Sequence, residues 1–242
     1  MFGNPFYYGS VRKIVSGFGT LFNGISIQRK TSAGAVSQTI KIPITYGPKQ
    51  KWMVRLLADP NAGQNTQASP VQITVPRMSF EITSMSYDAN RKLDTVGKTV
   101  NIRNVELNDK TYWATYNPVP WNIDFNLYIY VKHIDDGLMI IEQIVPYFTP
   151  DFTITINDMP VIAKIRDIPI ILNNVSTEDN YNGNFSERRM IVWTLSFTTK
   201  AYLYPAIVEP SKVTDYEINL YADGLTDTTI DATITKDGIT EP

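Results

Sequence analysis

The stretch Asn122-Ile-Asp-Phe-Asn-Leu-Tyr-Ile-Tyr-Val-Lys132 alternates without a break. Ile123, Phe125, Leu127, Ile129 and Val131 fall on one side, and Asn122, Asp124, Asn126, Tyr128 and Tyr130 on the other. Successive side chains of an extended chain point to opposite faces, so this is a strand with one apolar face and one polar, tyrosine-bearing face. Ile191, Trp193, Leu195 and Phe197 repeat the pattern within Met190 to Thr199. We expect these two strands to form the core sheet.

Outward from this pair, further alternating segments read as strands. Ile25 and Ile27, followed by Ile40, Ile42 and Ile44, suggest a hairpin whose turn is the polar stretch Thr31 to Gln38. Gln72 to Val75, Arg77 to Ser84 and Thr99 to Val105 follow, then Phe152, Ile154 and Ile156. Val161 to Leu172 adds one or two more, interrupted by Pro169.

Helical spacing is confined to three places. Val11, Ile14, Val15, Phe18, Leu21 and Phe22 predict a helix over Ser10 to Phe22, with Ser10 as N-cap and Gly17 and Gly19 weakening it. Pro48 opens a short second helix, in which Trp52 and Leu56, then Met53 and Leu57, recur four apart before Asp59-Pro60. After His133, either Asp135 or Asp136 can cap a third helix carrying Leu138, Ile141, Ile144, Val145 and Phe148 inward, with Pro146 and Pro150 marking its end. Pro60 to Pro70 and the Asn-rich interval Asn173 to Glu187 lack large periodic apolar residues and read as two long loops.

The expected architecture is α+β: a mostly antiparallel sheet flanked by two or three helices. Residues 1–208 form one domain, and residues 209–242 an extended tail with short β-prone pieces at Tyr216 to Tyr221 and Thr229 to Thr235. No period of 20 to 50 residues repeats, which argues against solenoids and propellers.

Composition removes several function classes. Lys and Arg total 22 against 24 Asp and Glu, a net charge of -2, so the chain is not a strongly basic nucleic-acid wrapper. With 43% hydrophobic and 19% charged residues it carries too much apolar payload to be disordered. The absence of cysteine excludes disulfides, thiolate nucleophiles and Cys-based metal sites while permitting the cytosol. No apolar run approaches the ~20 residues of a membrane-spanning helix, and the N-terminus does not read as a signal peptide.

Chemistry has little to stand on. His133 is the single histidine, so a two-His metal site is impossible and a Ser-His-Asp triad would rest on it alone. Nucleotide-binding, nucleophile-elbow and zinc-protease motifs are missing, and Gly17-Phe18-Gly19 lacks the rest of a dinucleotide fingerprint. Asp135-Asp136 and Glu178-Asp179 are adjacent pairs, which seldom point into one cleft. We expect no catalytic, cofactor-binding or metal-binding residues.

Contact residues are better represented. Lys49, Lys51 and Arg55 make a basic side on the second helix, and Arg188-Arg189 stand at the mouth of the last strand. Tyr112, Trp113, Tyr116 and Trp121 surround Asn117-Pro118 and Val119-Pro120, either as a stacking platform or as an extended loop packed on the core. Arginine with tyrosine and tryptophan is the composition of interface anchors, so Lys49, Lys51, Arg55, Arg188, Arg189, Tyr116 and Trp121 are the candidate subunit or partner contacts, against the plainer reading of a solvated face.

Six separated stretches then occur in a distinctive order. They are Met1-Phe2-Gly3, Pro43-Ile44-Thr45-Tyr46, Pro76-Arg77, Tyr116-Asn117-Pro118-Val119-Pro120, Ile141 to Pro150, and Arg188-Arg189 leading to Trp193-Thr194-Leu195-Ser196-Phe197 and Tyr204-Pro205. Together they resemble the tail sheath stabiliser and completion proteins of large contractile-tailed phages, collinearly from residue 1 to about residue 205. The resemblance implies a structural virion protein with no enzyme activity and a fold like that of tail terminator proteins. It implies a hexameric ring at the head-proximal end of the tail, in the tail-neck region, assembled in the host cytoplasm. Its partners would be the tail sheath protein, the tail tube terminator protein and the neck proteins of the head, with DNA only passing through the channel and no membrane. The loop Pro60 to Pro70 and the chain after Tyr204 depart from the family pattern.

Competing readings remain open. A tail tube terminator or another neck ring protein would share the fold and differ in partners. A carbohydrate-binding β-rich module would show glycan affinity as a monomer, and an enzyme would lose an assayed activity on changing Asp135 or Asp136.

Overall fold

The computed structural model describes residues 5–30, 35–57, 75–106, 109–159, 164–180, 190–207, 234–235 and 238–239. The chain divides into two compact units, Met1–Gly97 with Asn117–Pro205, and Lys98–Tyr116 with Ala206–Pro242. The fold is α+β, as the sequence predicts.

Among the described residues of the larger unit, three α-helices, α1 (Ser10–Leu21), α2 (Lys49–Leu57) and α3 (Ile134–Ile144), accompany eight strands. β1 (Ser26–Lys30) and β2 (Val36–Lys41) form an antiparallel hairpin. The main sheet contains β3 (Ile44–Tyr46), β4 (Arg77–Tyr87), β7 (Val119–Val131), β8 (Asp151–Met159), β9 (Lys164–Asn180) and β10 (Met190–Leu203), in the order β3-β4-β7-β10-β9-β8. The smaller unit holds the hairpin β5 (Lys98–Glu106) with β6 (Asp109–Tyr116), and the short pair β11 (Ile234–Thr235) with β12 (Gly238–Ile239).

The deciding strand sits at the centre. β7 pairs antiparallel with β10 from Val119↔Leu203 to Val131↔Ile191, and with β4 on its other edge. Ile123, Phe125, Leu127, Ile129 and Val131 are all fully buried. They pack with Ile14, Phe18 and Phe22 of α1 and just beyond it, with Ile140 and Ile144 of α3, and with Leu195 and Phe197 of β10. Phe18 is the hub, its ring stacked on Phe125 at 4.5 Å and touching Phe22, Phe80 and Phe197 at 5.1–5.4 Å. α1 packs tightly on the sheet at Gly19: a Cβ there would stand 2.8 Å from the Phe80 ring, so the glycine that lowers helix propensity permits the approach.

The opposite face of β7 is not solvent throughout. Tyr128 and Tyr130 form a second, smaller cluster with Trp52 of α2 and with Met190 and Val192, while Asn122, Asp124 and Asn126 stay partly exposed. Asp124 accepts hydrogen bonds from Ser84 (2.5 Å) and Thr198 (2.7 Å), its register partners on β4 and β10. α2 reaches this face because β3 and β4 are parallel, and parallel neighbours need a crossover rather than a tight turn.

Several expectations are corrected. β9 runs unbroken through Pro169, which pairs with Thr153 of β8 and lies just beyond the last β9–β10 pair, Ile170↔Thr199. It also continues to Asn180, so Asn173–Asn180 is strand rather than loop. Its register against Met190–Ser196 supplies the pairing that its polar side chains could not advertise. Ile44 leaves the first hairpin to pair with Met78, and the turn is shorter than Thr31 to Gln38, since β2 begins at Val36. The aromatic run is not a loop: Tyr112, Trp113 and Tyr116 lie in β6 and Trp121 in β7. Neither Asp135 nor Asp136 caps α3. His133 occupies that position without a side-chain bond, and both aspartates stand in the first turn. Pro60 to Pro70, residues 72–74 of the expected strand, residues 181–187 of the second loop and Tyr216 to Tyr221 lie outside the described residues.

Candidate contact surfaces

The titratable groups singled out in the sequence do not converge. His133 is exposed at the start of α3. Asp135 faces solvent, while Asp136 is turned inward to a two-point ion pair with Arg29 of β1 at 2.7 and 2.8 Å. The Asp136 side chain is 3% exposed and that of Arg29 42%. Glu178 accepts from Lys49 Nζ at 2.5 Å, and Asp179, its neighbour on a strand, points to the other face. Among the described residues no group of three or more His, Asp or Glu side chains gathers as a metal site. Asp158, buried at the end of β8, has neither carboxylate oxygen hydrogen-bonded, although its carbonyl accepts from Ser10 and Lys13.

Tyrosine hydroxyls show what burial does here. The Tyr130 hydroxyl lies 3.1 Å from Ser79 Oγ, and desolvation pushes its pKa up to about 12. Tyr128, which donates to Glu81 at 2.9 Å, and Tyr204, which meets Arg166 at 2.5 Å, are also shifted upward, chiefly by burial. These hydroxyls therefore stay protonated and act as structural hydrogen-bonding groups.

The sequence-nominated contact residues are dispersed. Lys49 and Lys51 lie on α2, with Lys49 bridging to Glu178 across to β9 and Lys51 exposed. Arg55 belongs to the same helix, its side chain outside the described residues, as are Arg188 and Arg189 altogether. Trp121 sits near the start of β7, edge-to-face with Tyr87 at 6.3 Å, whereas α2 covers Tyr128 and Tyr130 near its end. Tyr116 belongs to the smaller unit, where the Lys98 ammonium lies 4.8 Å above its ring. The structure thus places Lys49 and Lys51 two residues apart on α2 and Trp121 near the start of β7, with Tyr116 in the smaller unit.

Sequence reasoning missed an arginine–tyrosine ladder. Arg91 and Arg166 stand 5.0 and 4.3 Å from the Tyr202 ring, and Arg166 also faces Tyr204 at 5.7 Å. Arg91 is held by Asp88 (2.7 Å), by the Asn122 side chain (2.8 Å) and by the Trp121 carbonyl (3.1 Å). These residues are far apart in sequence and meet only through strand register, so no local pattern could have grouped them. Exposed apolar side chains were likewise invisible to motif reading: Phe6, Tyr7, Tyr46, Ile134, Tyr147 and Ile165 all stand out from the larger unit. The Ile141 to Pro150 stretch frames a groove of about 580 Å³ lined mainly by apolar side chains, among them Phe22, Ile144, Phe148 and Phe152.

An α+β sheet unit with scattered chemistry and apolar side chains held at its surface has the make-up of a structural assembly protein. The comparisons with known proteins are specific. A family model described as the T4-like virus Myoviridae tail sheath stabiliser matches residues 5–241. The chain is 32% identical over 215 residues to the tail completion protein gp15 of Enterobacteria phage T4, covering 86% of this chain and 74% of that protein. The chain belongs to the tail sheath stabiliser family and is a structural protein of the phage tail. Among the described residues no helix is long and apolar enough to cross a membrane.

Proposed function

We propose that this protein forms a hexameric ring at the head-proximal end of a contractile tail. The ring caps the tail tube and the last sheath ring, stabilises the extended sheath, and offers the surface to which the neck of a filled head attaches. It works without catalysis or a cofactor. Its partners are the sheath protein, the tube terminator and the neck proteins, and DNA only passes through its channel. Lys49, Lys51, Arg55, Arg188, Arg189, Tyr116 and Trp121 supply subunit or partner contacts.

The observation that carries this reading is the family match over residues 5–241, joined to 32% identity with a tail completion protein across an alignment that covers most of both chains. Physical support comes from the surface: a ring subunit needs exposed apolar anchors on a rigid body, and Phe6, Tyr7 and Tyr147 are such anchors. Electron microscopy of virions carrying a label on the C-terminus tests it. Label between head and sheath is expected. Label at the distal fibres, or none in virions, would overturn the reading.

A further inference from the structure

Two apolar features stand at opposite ends of α1. Before the helix, Phe6 and Tyr7 are 54% and 74% exposed. This aromatic arm is not loose: Tyr8 donates to the Pro205 carbonyl at 3.1 Å, and Gly9 enters the helix at φ 70°, a left-handed conformation that favours glycine. Arg12, exposed, lies 5.9 Å from the Tyr7 ring. At the other end of α1 is the apolar groove of about 580 Å³, with Phe22, Ile144, Pro146, Tyr147, Phe148 and Phe152 on its walls and exposed Glu142 at its edge.

α1 has 12 residues, about 18 Å at 1.5 Å per residue. The arm, tied at Tyr8, therefore cannot fill the groove of its own chain. We propose that the Phe6–Tyr7 arm of one copy seats in the groove of the next, with Arg12 of the first facing Glu142 of the second. This rests on the ring reading and specifies its subunit contact. Two aromatic rings entering an apolar pocket, with one opposite-charge pair at the edge, have the form of an interface anchor. Arm and groove are different patches: repeated head-to-tail with a rotation that closes, the contact makes a ring, whereas two copies exchanging arms stop at a dimer, and a ladder that runs beyond dimers distinguishes the two.

The chain has no cysteine, which makes the test direct. Tyr7→Cys with Tyr147→Cys places one thiol on the arm and one at the groove, at positions that are both well exposed in the native chain. Oxidation is run on the purified full chain and on tails carrying the double variant, beside sedimentation velocity of the unmodified chain. A reducible ladder of multimers is expected from the double variant, and no more than dimers from either single one. Phe6→Asp or Glu142→Arg, added to the double variant, should lower the cross-linked fraction roughly tenfold, and Arg12→Glu combined with Glu142→Arg should restore it. Rings without a ladder would overturn this contact and leave the ring reading standing. Neither rings nor a ladder, in solution and on tails, would overturn both.

Discussion

Removing the Phe18 ring should be the most costly single truncation in the larger unit. Phe18 is 0% exposed and touches four other phenylalanines, two from the sheet centre, one from β4 and one just past its own helix. Phe→Ala at a buried site costs about 3–5 kcal/mol through lost transfer energy and the cavity left behind. Aromatic pairs add about 0.5–1.5 kcal/mol each beyond area, and four such contacts place Phe18→Ala near the upper end, about 4–5 kcal/mol. At about 2–4 °C per kcal/mol for a chain of this size, Tm should fall by about 8–20 °C. Urea denaturation followed by circular dichroism measures it, with Val96→Ala on the surface expected to change stability by less than about 0.5 kcal/mol. A lower midpoint at unchanged slope is the expected result. A Phe18→Ala loss below about 1.5 kcal/mol, comparable with a surface change, would refute the placement of the core at the α1–β7 contact.

Three further outcomes follow from the site geometry. The Tyr130 hydroxyl, pushed up to about 12, keeps its proton where the unfolded chain loses one above about pH 10, so its contribution to stability is intact below pH 10 and declines as pH rises to 12. Tyr130→Phe should flatten that alkaline decline in urea midpoints, and a parallel profile would contradict the burial. Asp136→Ala removes the buried half of the Arg29 pair together with a carboxylate in the first turn of α3. With Arg29 partly hydrated, the loss should be about 1–3 kcal/mol by thermal melting, larger than for Asp135→Ala. Lys49→Glu and Lys51→Glu should change melting by less than about 1 kcal/mol, since the Lys49–Glu178 pair is exposed, while reducing tail assembly in a complementation assay.

Where local pattern and tertiary packing agreed, the fold was legible. The odd-numbered apolar residues of β7 and the 3.6-residue spacing of α1 each describe a single buried face, and a buried face is a property of neighbouring residues in sequence. Where the two parted, the sequence was silent or misleading. Asn173–Asn180 carries almost no apolar residue, yet it is strand because backbone groups of β10 are there to pair with it. Asp136 looks like a cap until β1 brings Arg29 beside it. Tyr128 and Tyr130 look solvent-facing until the parallel β3–β4 crossover lays α2 over them.

The sequence by itself determined the α+β class, the central strand pair, three helices and, through six collinear stretches, the family. These follow from periodicity and from residue order, which are one-dimensional. Tertiary structure alone decided which apolar residues are left outside, that Ile141 to Pro150 lines a groove, and that the groove and the Phe6–Tyr7 arm lie at opposite ends of α1. Exposure and complementarity are properties of surfaces assembled from distant segments. They come into being only when strand register and helix packing bring those segments together.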